Sequence, residues 1–278
     1  MVDSDDSLEA SQRPAPSATT VRSVARAFEL LSMFTPRHAE WTVGALAKAT
    51  GINKSVVTRL MATMANAGFV AQDSQTRTYR VGGKAFAVGN SFSPYIMLSR
   101  LARPVLEDLT AQCGYSCSVG VPDGDRFMTC VSIQSTSIRV APEAGQRQYY
   151  HGSSVGKALL AGMTEDQLGR IIQDAPLPAL GPNTMTTAEA LRADLQRIRE
   201  RGYSITSEES SLLVGGVAAA IGMRDGGVLA AIGIAYPVHL VSDEMVAVLG
   251  KQVIAATGQL CLHLAPQGNA VLFQPMEF

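Results

Sequence analysis

Apolar positions recur at helical spacing on either side of Gly51, within a segment that runs from Trp41 to Val81. The apolar residues are Ala45, Leu46 and Ala49 before the glycine, and Val57, Leu60, Met61 and Met64 after it. This spacing predicts two short helices, each with one buried stripe. Gly51 accepts the left-handed backbone that ends a helix, and Asn53 is suited to cap the next one. The segment therefore begins as a helix-turn-helix.

The spacing of apolar residues changes from helical to alternating after Gly68. Phe69–Gln72 and Arg77–Val81 are predicted strands, with Asp73–Thr76 as the turn between them. Two helices followed by a β-ribbon make a winged helix-turn-helix. Taken alone, the helix pair fits a plain helical hairpin with a solvated face equally well, but the ribbon and the local charge favour DNA binding.

The polar face of the second helix carries Lys and Arg together with short hydroxyl side chains. Such a helix fits the major groove of B-DNA, where these groups can bond base edges and phosphates. An earlier helix, with Val24, Phe28 and Leu31 as its predicted apolar stripe, opens with residues that suit a phosphate. The candidate DNA-binding residues are Arg22, Ser23, Arg26, Thr42, Asn53, Lys54, Ser55, Val56, Thr58, Arg59, Arg77 and Arg80.

Positive charge is concentrated in the same part of the chain. Residues 22–90 hold nine Lys or Arg and three acidic residues, which gives +6, whereas residues 1–21 sum to −3 and the remainder to −4, for a total of −1. A nearly neutral protein with one basic segment is expected when only that segment meets a phosphate backbone. The polar, acidic residues 1–20 predict a disordered tail.

Beyond a short predicted helix at 82–92, the pattern predicts an α/β region with an antiparallel sheet of about six strands. The predicted strands are Tyr115–Val121, Arg126–Ile133, Ser137–Ala141, Tyr203–Thr206, Val214–Met223 and Val228–Tyr236, and the first and last helices are Met97–Cys113 and Ser242–Leu264. Capping-box spacing begins two further helices at Thr164 and Thr186. Pro104 predicts a kink or a late start in the first helix, and Asp225–Gly227 predicts a hairpin turn.

The composition argues against several classes of protein. No uninterrupted apolar run reaches the roughly 18 residues of a membrane helix, and the most apolar stretch is Leu212–Val238. The acidic N-terminus lacks the pattern of a signal peptide, so a cytoplasmic protein without a membrane partner is expected. The four cysteines form no CxxC pair and the four histidines lie apart. Free thiols are therefore expected, with no metal site and no cofactor.

No catalytic cluster is visible from residue spacing, so no enzymatic activity is predicted. Gly152–Lys157 resembles a phosphate loop only superficially, because the spacing is one residue short and Ala158 replaces the hydroxyl that would bind magnesium. Glu208 and Glu209 are adjacent and make a poor acid/base pair. What remains is a DNA-reading domain joined to an α/β domain with room for a ligand, which is the architecture of a small-molecule switch.

Several motifs resemble those of the IclR family of transcriptional regulators over about residues 21–265. They are SVARAFELL (23–31), GALAKATGINKSVVTRLMATMANAGFV (44–70), YRVGGKAFAVGN (79–90), ARPVLEDL (102–109), HGSSVGKALLAGMTEDQL (151–168) and LRADLQRIRERGYSI (191–205). The resemblance implies an α+β chain with a winged helix-turn-helix at 21–81, a linker helix at 82–96 and a GAF-like effector and oligomerisation domain at 97–265. The segments 1–20 and 266–278 are then tails.

The resemblance also implies partners. Such regulators bind double-stranded DNA operators as homodimers or dimers of dimers, respond to small organic effectors, and commonly repress, and sometimes activate, catabolic operons. RNA polymerase is a further candidate partner. By position, Lys54, Val56 and Arg59 match recognition-helix contacts, and Arg26 matches an arginine of the first helix.

An effector pocket is implied at four places in the second domain. The matching residues are Val140, Gln148, Tyr149, Tyr150, Ser154, Val155, Thr206, Val217, Gly233 and Ala235. The last four stand where members that bind small polar acids carry Asp, Cys and two Ser. A larger or less polar effector, an aromatic or hydrophobic acid, is therefore expected, with Tyr149 or Tyr150 stacking on it; tyrosines of the core or of an interface are the alternative.

Two stretches depart from the family pattern. The wing turn Asp73–Thr76 lacks a glycine, and the loop Glu208–Gly216 lacks the usual motif.

Two other functions stay open on the sequence. An enzyme with a basic appendage would need a catalytic cluster within residues 95–265. An architectural DNA binder that is blind to effectors would use its second domain only for dimerisation.

Overall fold

A computed structural model describes residues 21–35, 38–90, 94–136, 140–174, 177–222 and 227–264. The chain forms two compact units, which divide between residues 93 and 94. The helices are α1 (Arg22–Ser32), α2 (Val43–Thr50), α3 (Lys54–Asn66), α4 (Gly83–Asn90), α5 (Pro94–Cys113), α6 (Ser154–Gly162), α7 (Glu165–Asp174), α8 (Ala188–Arg201) and α9 (Asp243–Leu264). The strands are β1 (Val70–Gln72), β2 (Tyr79–Val81), β3 (Ser116–Asp123), β4 (Arg126–Ile133), β5 (Arg147–Gln148), β6 (Ser204–Ser207), β7 (Val214–Gly222) and β8 (Val228–Pro237). The predicted tails lie outside the described residues.

The first unit is a winged helix-turn-helix. Leu30, Leu46, Val57 and Met61 from its three leading helices are fully buried together. Trp41 extends the β1–β2 ribbon by an antiparallel bridge to β2. Its backbone N–H donates to the carbonyl of Tyr79 at 2.9 Å, and its carbonyl accepts from the N–H of Tyr79 at 2.7 Å. The predicted fold of this unit is confirmed.

The buried face of α1 differs from the predicted one. Leu30 is fully buried, whereas Val24 is 50% exposed and Phe28 is 62% exposed. In α3 the predicted stripe holds for Val57, Met61 and Met64, but Leu60 is only half-buried. An apolar stripe shows which residues share a face, and it does not show what covers that face.

The second unit is built on a six-stranded antiparallel sheet with the order β5-β4-β3-β8-β7-β6. The predicted strand Ser137–Ala141 is wrong for its last two residues, because Val140 and Ala141 lie outside any strand. Residues 137–139 are not among the described ones. The sixth strand is instead Arg147–Gln148, which the sequence pattern left in a loop. Most of the predicted turn Asp225–Gly227 also falls outside the described residues.

The two faces of this sheet carry side chains of very different size. One face packs bulky residues against α5 and α9, among them Val119, Val131, Val217, Ile221, Ile232 and Ile234. By strand register, the other face carries one large side chain, Phe127, and otherwise mostly small ones: Ser116, Ser118, Gly120, Thr129, Ser132, Ser204, Thr206, Gly216, Ala218, Ala220, Ala231, Gly233 and Ala235. We call this second face the small face.

Helix α6 packs directly on the small face, and glycines make that approach possible. A Cβ built at Gly233 would lie 2.4 Å from a methyl of Val155, and one at Gly120 would lie 2.5 Å from its other methyl. A Cβ at Gly216 would likewise meet the hydroxyl of Ser154 at 2.5 Å. The first turn of α6 therefore fills the space above three neighbouring strands.

A β-bulge in β4 decides which residues reach the small face. Val131 pairs with Val119 and Thr129 pairs with Gly120, so Cys130 has no partner across the ladder. Because side chains alternate along a strand, one extra residue at Cys130 reverses the faces of the residues on one side of the bulge relative to those on the other side. Thr129 and Phe127 lie on the small face for this reason.

Local signals in the helices were largely accurate. Thr164 and Gln167 form the predicted reciprocal capping box, whereas the next helix is capped by Thr187, one residue later than predicted. Helix α5 begins at Pro94 and continues through Pro104, so the predicted late start is wrong.

Among the described residues, α9 is long and apolar enough to cross a membrane on length and composition. Its buried residues, which include Val253 and Leu260, pack with α5 on the bulky face of the sheet, as in a core helix. The stretch Leu212–Val238, the most apolar in the sequence, forms β7, β8 and their flanks instead.

We expect Gly233→Ala to lower the free energy of unfolding by about 1–3 kcal/mol, because the new methyl overlaps the stiff side chain of Val155. In the double variant with Val155→Ala, the loss should be smaller than the sum of the two single losses. Urea unfolding followed by circular dichroism measures all three. Gly258→Ala in α9 is the control, because a Cβ there meets nothing within 4 Å and should stabilise by about 0.5–1 kcal/mol. Strict additivity would contradict the packing described.

Candidate functional site

The turn of the helix-turn-helix is held by two caps and one left-handed glycine. Gly51 has a φ of 68° at the end of α2. Thr42 Oγ1 accepts a hydrogen bond from the N–H of Ala45 at 3.2 Å, and Asn53 Oδ1 accepts one from the N–H of Ser55 at 2.9 Å. The side-chain oxygens of Thr42 and Asn53, both predicted as DNA contacts, thus cap the starts of α2 and α3.

The exposed face of α3 is basic and hydroxyl-bearing, as the sequence predicts. Lys54, Ser55, Thr58 and Arg59 are all exposed. Thr58 Oγ1 donates back to the carbonyl of Lys54 at 2.9 Å, which fixes its rotamer. Val56 differs from the others, since it is half-buried and turned toward α1.

A groove of about 720 Å³ lies between α1 and α3. Its lining residues are Arg22, Ser23, Val24, Arg26, Ala27, Phe28, Leu31, Val56, Arg59, Leu60, Thr63, Met64 and Phe69. Three arginines thus share a groove in which none of the described lining residues is acidic. The structure brings Arg22, Ser23 and Arg26 from α1 together with Arg59 from α3, although the sequence placed them on separate helices.

Asp73 closes the wing turn without a glycine. Its carboxylate accepts hydrogen bonds from the N–H groups of Gln75 and Thr76, both at 2.8 Å, and the bond from Thr76 is the main reason why its pKa is lowered. Arg77 takes the left-handed backbone, with a φ of 61°. Arg77 and Arg80 are therefore exposed on a well-formed wing.

The predicted effector residues do not all lie on one side of the sheet. Thr206, Gly233 and Ala235 belong to the small face, beside Ser154 and Val155 of α6. Val217 pairs with Ile205 and Ile234 and is fully buried in the opposite core, against α5 and α9. Its side chain therefore does not face the others.

A cluster of buried polar side chains lies where β4 and β5 meet the loop before β5. Among the described residues, Thr129 Oγ1, Gln134 Oε1 and Gln148 Nε2 are buried without a hydrogen-bond partner. Gln134 is held in place by its other end, which donates to the carbonyl of Ala141 at 2.8 Å. We call these three residues the polar cluster. Buried polar atoms are almost always paired, so three unpaired ones on β4, on β5 and just after β4 mark a place for a polar ligand or water.

The two tyrosines near this cluster have different surroundings. Tyr150 is buried in the core, its ring centroid 5.9 Å from that of Phe127, and burial raises its pKa to about 12. Tyr149 is half-buried, with the guanidinium of Arg126 stacked 3.5 Å from its ring centroid. One face of Tyr149 is thus already covered.

Lys157 of α6 is fully buried between two carboxylates. Its Nζ lies 2.9 Å from Asp194 Oδ2 on α8 and 2.5 Å from Glu209 Oε2 in the loop after β6. Burial raises the pKa of Glu209, and the charge of Lys157 opposes that rise. A buried ion pair is stable only while all its members stay together. Lys157 is therefore structural and has no route to a nucleotide phosphate.

The loop that Glu209 anchors has a strained backbone. Glu208 and Leu213 adopt left-handed conformations, with φ of 55° and 62°. Glu208 Oε1 accepts a hydrogen bond from the N–H of Leu213 at 2.9 Å, which closes the loop on itself. This is the stretch that the sequence analysis expects to depart from the family motif.

Comparison with known proteins identifies the architecture. A family profile described as the IclR helix-turn-helix domain matches residues 23–74, and one for the C-terminal part of the bacterial transcriptional regulator IclR matches residues 95–262. The transcriptional repressor IclR of Escherichia coli strain K12 is 30% identical over 251 residues, which cover 89% of this chain and 92% of that protein. The chain belongs to the IclR family.

Solved structures of the family show the same fold. An IclR transcriptional regulator from Alicyclobacillus acidocaldarius superposes with a TM-score of 0.71 at 23% identity, covering 87% of this chain and 98% of that one. An IclR homolog from Microbacterium hydrocarbonoxydans, crystallised with 4-hydroxybenzoate, gives 0.70 at 21% identity, with 86% and 98% covered. The chain is thus a transcriptional regulator with a helix-turn-helix DNA-binding domain and a C-terminal effector-binding domain.

Sequence reasoning missed two members of the polar cluster in this IclR regulator. Thr129 could not be assigned to the small face, because that face is set by the bulge at Cys130. Gln134 follows the end of β4 and looks like an ordinary loop residue in the sequence. Gln148, by contrast, was found through the family resemblance.

We expect Lys157→Met to lower the free energy of unfolding by about 3–5 kcal/mol at neutral pH, because two buried carboxylates lose their partner. A carboxyl with a raised pKa in the folded state favours folding below its unfolded pKa, and that contribution is lost as the pH rises. The loss should therefore shrink on acidification, as Glu209 is protonated. Urea unfolding at neutral and mildly acidic pH measures this. Lys251→Met on the exposed side of α9 is the control, with a change within about 0.5 kcal/mol. A loss of unfolding free energy that does not vary with pH would count against the ion pairs of Lys157 with Asp194 and Glu209.

Proposed function

We propose that this IclR regulator reads its operator with α3 in the major groove, and that its C-terminal domain binds a small organic acid that controls this binding. The observation that carries the DNA half is the acid-free groove in which Arg22, Arg26 and Arg59 converge beside the exposed face of α3. The observation that carries the effector half is the polar cluster. The proposal assigns no enzymatic activity to the chain.

Three kinds of DNA contact follow from the geometry. Lys54, Ser55, Thr58 and Arg59 point outward from α3 and are placed to meet base edges. Arg22, Ser23 and Arg26 lie at the start of α1, where N–H groups and arginines suit a phosphate. Arg77 and Arg80 on the wing suit the neighbouring backbone or minor groove. Thr42 and Asn53 position α2 and α3, and Val56 supports the groove between α1 and α3.

We further propose that the protein acts in the cytoplasm as a homodimer or a dimer of dimers. Contacts with RNA polymerase are part of this proposal, for repression or for activation. Two helix-turn-helix units are needed to read a palindromic operator at half-sites one helical turn apart. The apolar residues Val24 and Phe28, which α1 leaves exposed, are available for a second copy.

We expect Arg59→Ala to weaken operator binding by about 1–3 kcal/mol and to relax the base preference at one position of each half-site. Arg80→Ala should weaken binding to all sequences alike and reduce the dependence on salt concentration by about one phosphate contact. Selection from random-sequence DNA gives the operator, and fluorescence anisotropy over a series of salt concentrations gives the affinities.

Arg170→Ala, on an exposed position of α7 in the second domain, is the matched control and should leave DNA binding unchanged. Selection that returns no sequence preference for the unaltered protein would overturn the proposal. Arg59→Ala and Arg80→Ala with equal effects on every sequence would overturn only the role of Arg59 as a base-reading residue.

The effector proposed is a carboxylic acid with an aromatic or hydrophobic body. Gln148 Nε2 and the hydroxyl of Thr129 are donors that could bind a carboxylate, and Gln134 Oε1 could accept from a hydroxyl or acid proton. Gly233 and Ala235 supply no further polar group to the small face. The exposed side of Tyr149 is the remaining aromatic surface, and Val140 lies in the loop that leads to it. Tyr150 and Val217 are left out, since both side chains lie in cores.

We expect Thr129→Val to have opposite effects on binding and on stability. Loss of a hydrogen bond to a carboxylate should weaken effector binding by about 1.5–3 kcal/mol. The free energy of unfolding should stay equal or rise, because a buried unpaired hydroxyl is replaced by a methyl. Calorimetric titration with benzoate, hydroxybenzoates, medium-chain acids and glyoxylate measures binding, and urea unfolding measures stability.

The control is Thr257→Val, also buried, whose hydroxyl donates to the carbonyl of Val253 at 2.7 Å. That variant should lose stability and bind effectors as before. Unchanged effector binding by Thr129→Val would remove the polar cluster from the site. Tight binding of glyoxylate together with no binding of the aromatic and hydrophobic acids would overturn the proposed chemical class.

A further inference from the structure

Two of the four cysteines meet at the turn between α5 and β3. Cys113 ends α5, Cys117 lies near the start of β3, and their Sγ atoms are 3.9 Å apart. Both thiols point at the carbonyl of Tyr115, at 3.6 and 3.5 Å. A disulfide needs an S–S distance of about 2.05 Å, so the gap to close is about 2 Å. Gly114, with a φ of 76°, lies inside the connecting turn.

The two thiols differ in exposure and in ionisation. Cys113 is partly exposed, whereas Cys117 is fully buried. The hydrogen bond from the Cys117 thiol is the main cause that lowers the pKa of Cys113 to about 7, and the N–H of Tyr115 lowers it further. The same bond raises the pKa of Cys117. The neighbouring thiol thus favours the thiolate of Cys113, and the thiolate is the reactive form of cysteine.

We propose that Cys113 and Cys117 form a redox-active dithiol, which a hydroperoxide oxidises to a disulfide within the chain. The Cys113 thiolate attacks the peroxide; an S–O bond forms, the O–O bond breaks, and the departing alkoxide or hydroxide takes up a proton. Cys117 then attacks the sulfur of the Cys113 sulfenic acid. The S–S bond forms as the S–O bond breaks, and the hydroxyl leaves as water with the Cys117 proton. Two thiols are oxidised and one peroxide is reduced.

The other two cysteines are poor competitors for this reaction. Burial raises the pKa of Cys130 to about 11, so it stays protonated. Cys261 is 2% exposed in the core beneath α9. Cys130 is therefore a matched control within the same domain: it is half-buried like Cys113, but burial dominates its pKa and no second thiol lowers it.

The consequence of this bond is chemical rather than structural. Only three residues separate the two cysteines, so the closed loop is too short to stabilise the fold much. The bond would join the end of α5 to β3 and consume the reactive thiolate. A dithiol reductant would restore both groups by thiol–disulfide exchange.

The test uses the full-length protein, treated with hydrogen peroxide at neutral pH and then denatured. Titration with a chromogenic disulfide should find two thiols instead of four, and a peptide map without reductant should show Cys113 linked to Cys117. Dithiothreitol should return all four thiols. Cys130→Ser should lose two of its three thiols, as in the unaltered chain, and Cys113→Ser should lose none.

A second variant keeps the test informative if Cys113→Ser fails to fold. Cys117→Ala removes the resolving thiol, so the sulfenic acid of Cys113 should persist and be trapped by dimedone, which should label the unaltered chain far less. Four thiols left after peroxide would overturn the proposal. So would a disulfide that joins Cys113 to another cysteine or another chain, or dimedone labelling at Cys130 instead of Cys113.

Discussion

The buried ammonium group of Lys157 joins three elements on the small-face side of the second domain. It binds carboxylates from α8 and from the loop after β6, and it belongs to the helix whose first turn covers the small face. Withdrawing any one of the three charges would leave the others buried without a partner, which costs several kcal/mol. The geometry of Ser154 and Val155 over the sheet, and of the strained loop at Glu208, therefore depends on this one interaction.

The two faces of the sheet differ in the size of their side chains and therefore in how much they stabilise the domain. Its bulky face packs with α5 and α9 and provides most of the apolar burial. The side chains of its small face are mostly small, so they bury less apolar area and let α6 approach closely. On this side of the sheet, Thr129, Gln134 and Gln148 keep unpaired polar atoms. Unpaired buried polar atoms destabilise a fold, and natural proteins tolerate them mainly where function requires them. The effector site proposed above therefore coincides with the part of the sheet that is least optimised for stability.

Local chemistry was predictable from the sequence, and pairing across the sheet was not. Gly51 and Asn53 fixed the helix-turn-helix, and the capping box at Thr164 fixed the start of α7, because both signals act within four residues. The face of Val217 depends on register and that of Thr129 on a bulge, and a shift of one residue reverses either. The exposed side of α1 shows the same limit, since periodicity groups apolar residues without revealing what covers them.

The bulge that moves Thr129 to the small face also gives that residue a short connection to α5. Its neighbour Met128 packs in the core shared with α5, and the carbonyl of Cys130, the bulge residue, accepts a hydrogen bond from Ser99 of α5 at 3.2 Å. A ligand that bonds the hydroxyl of Thr129 therefore acts on a strand whose next residues contact α5, the first helix after the DNA-binding unit. Such a ligand changes DNA binding only if the protein binds it more tightly with β4 in one position than with β4 in another. In the proposed site, the hydroxyl of Thr129 would supply such a difference only if it bonds the ligand in one position of β4 and not in the other.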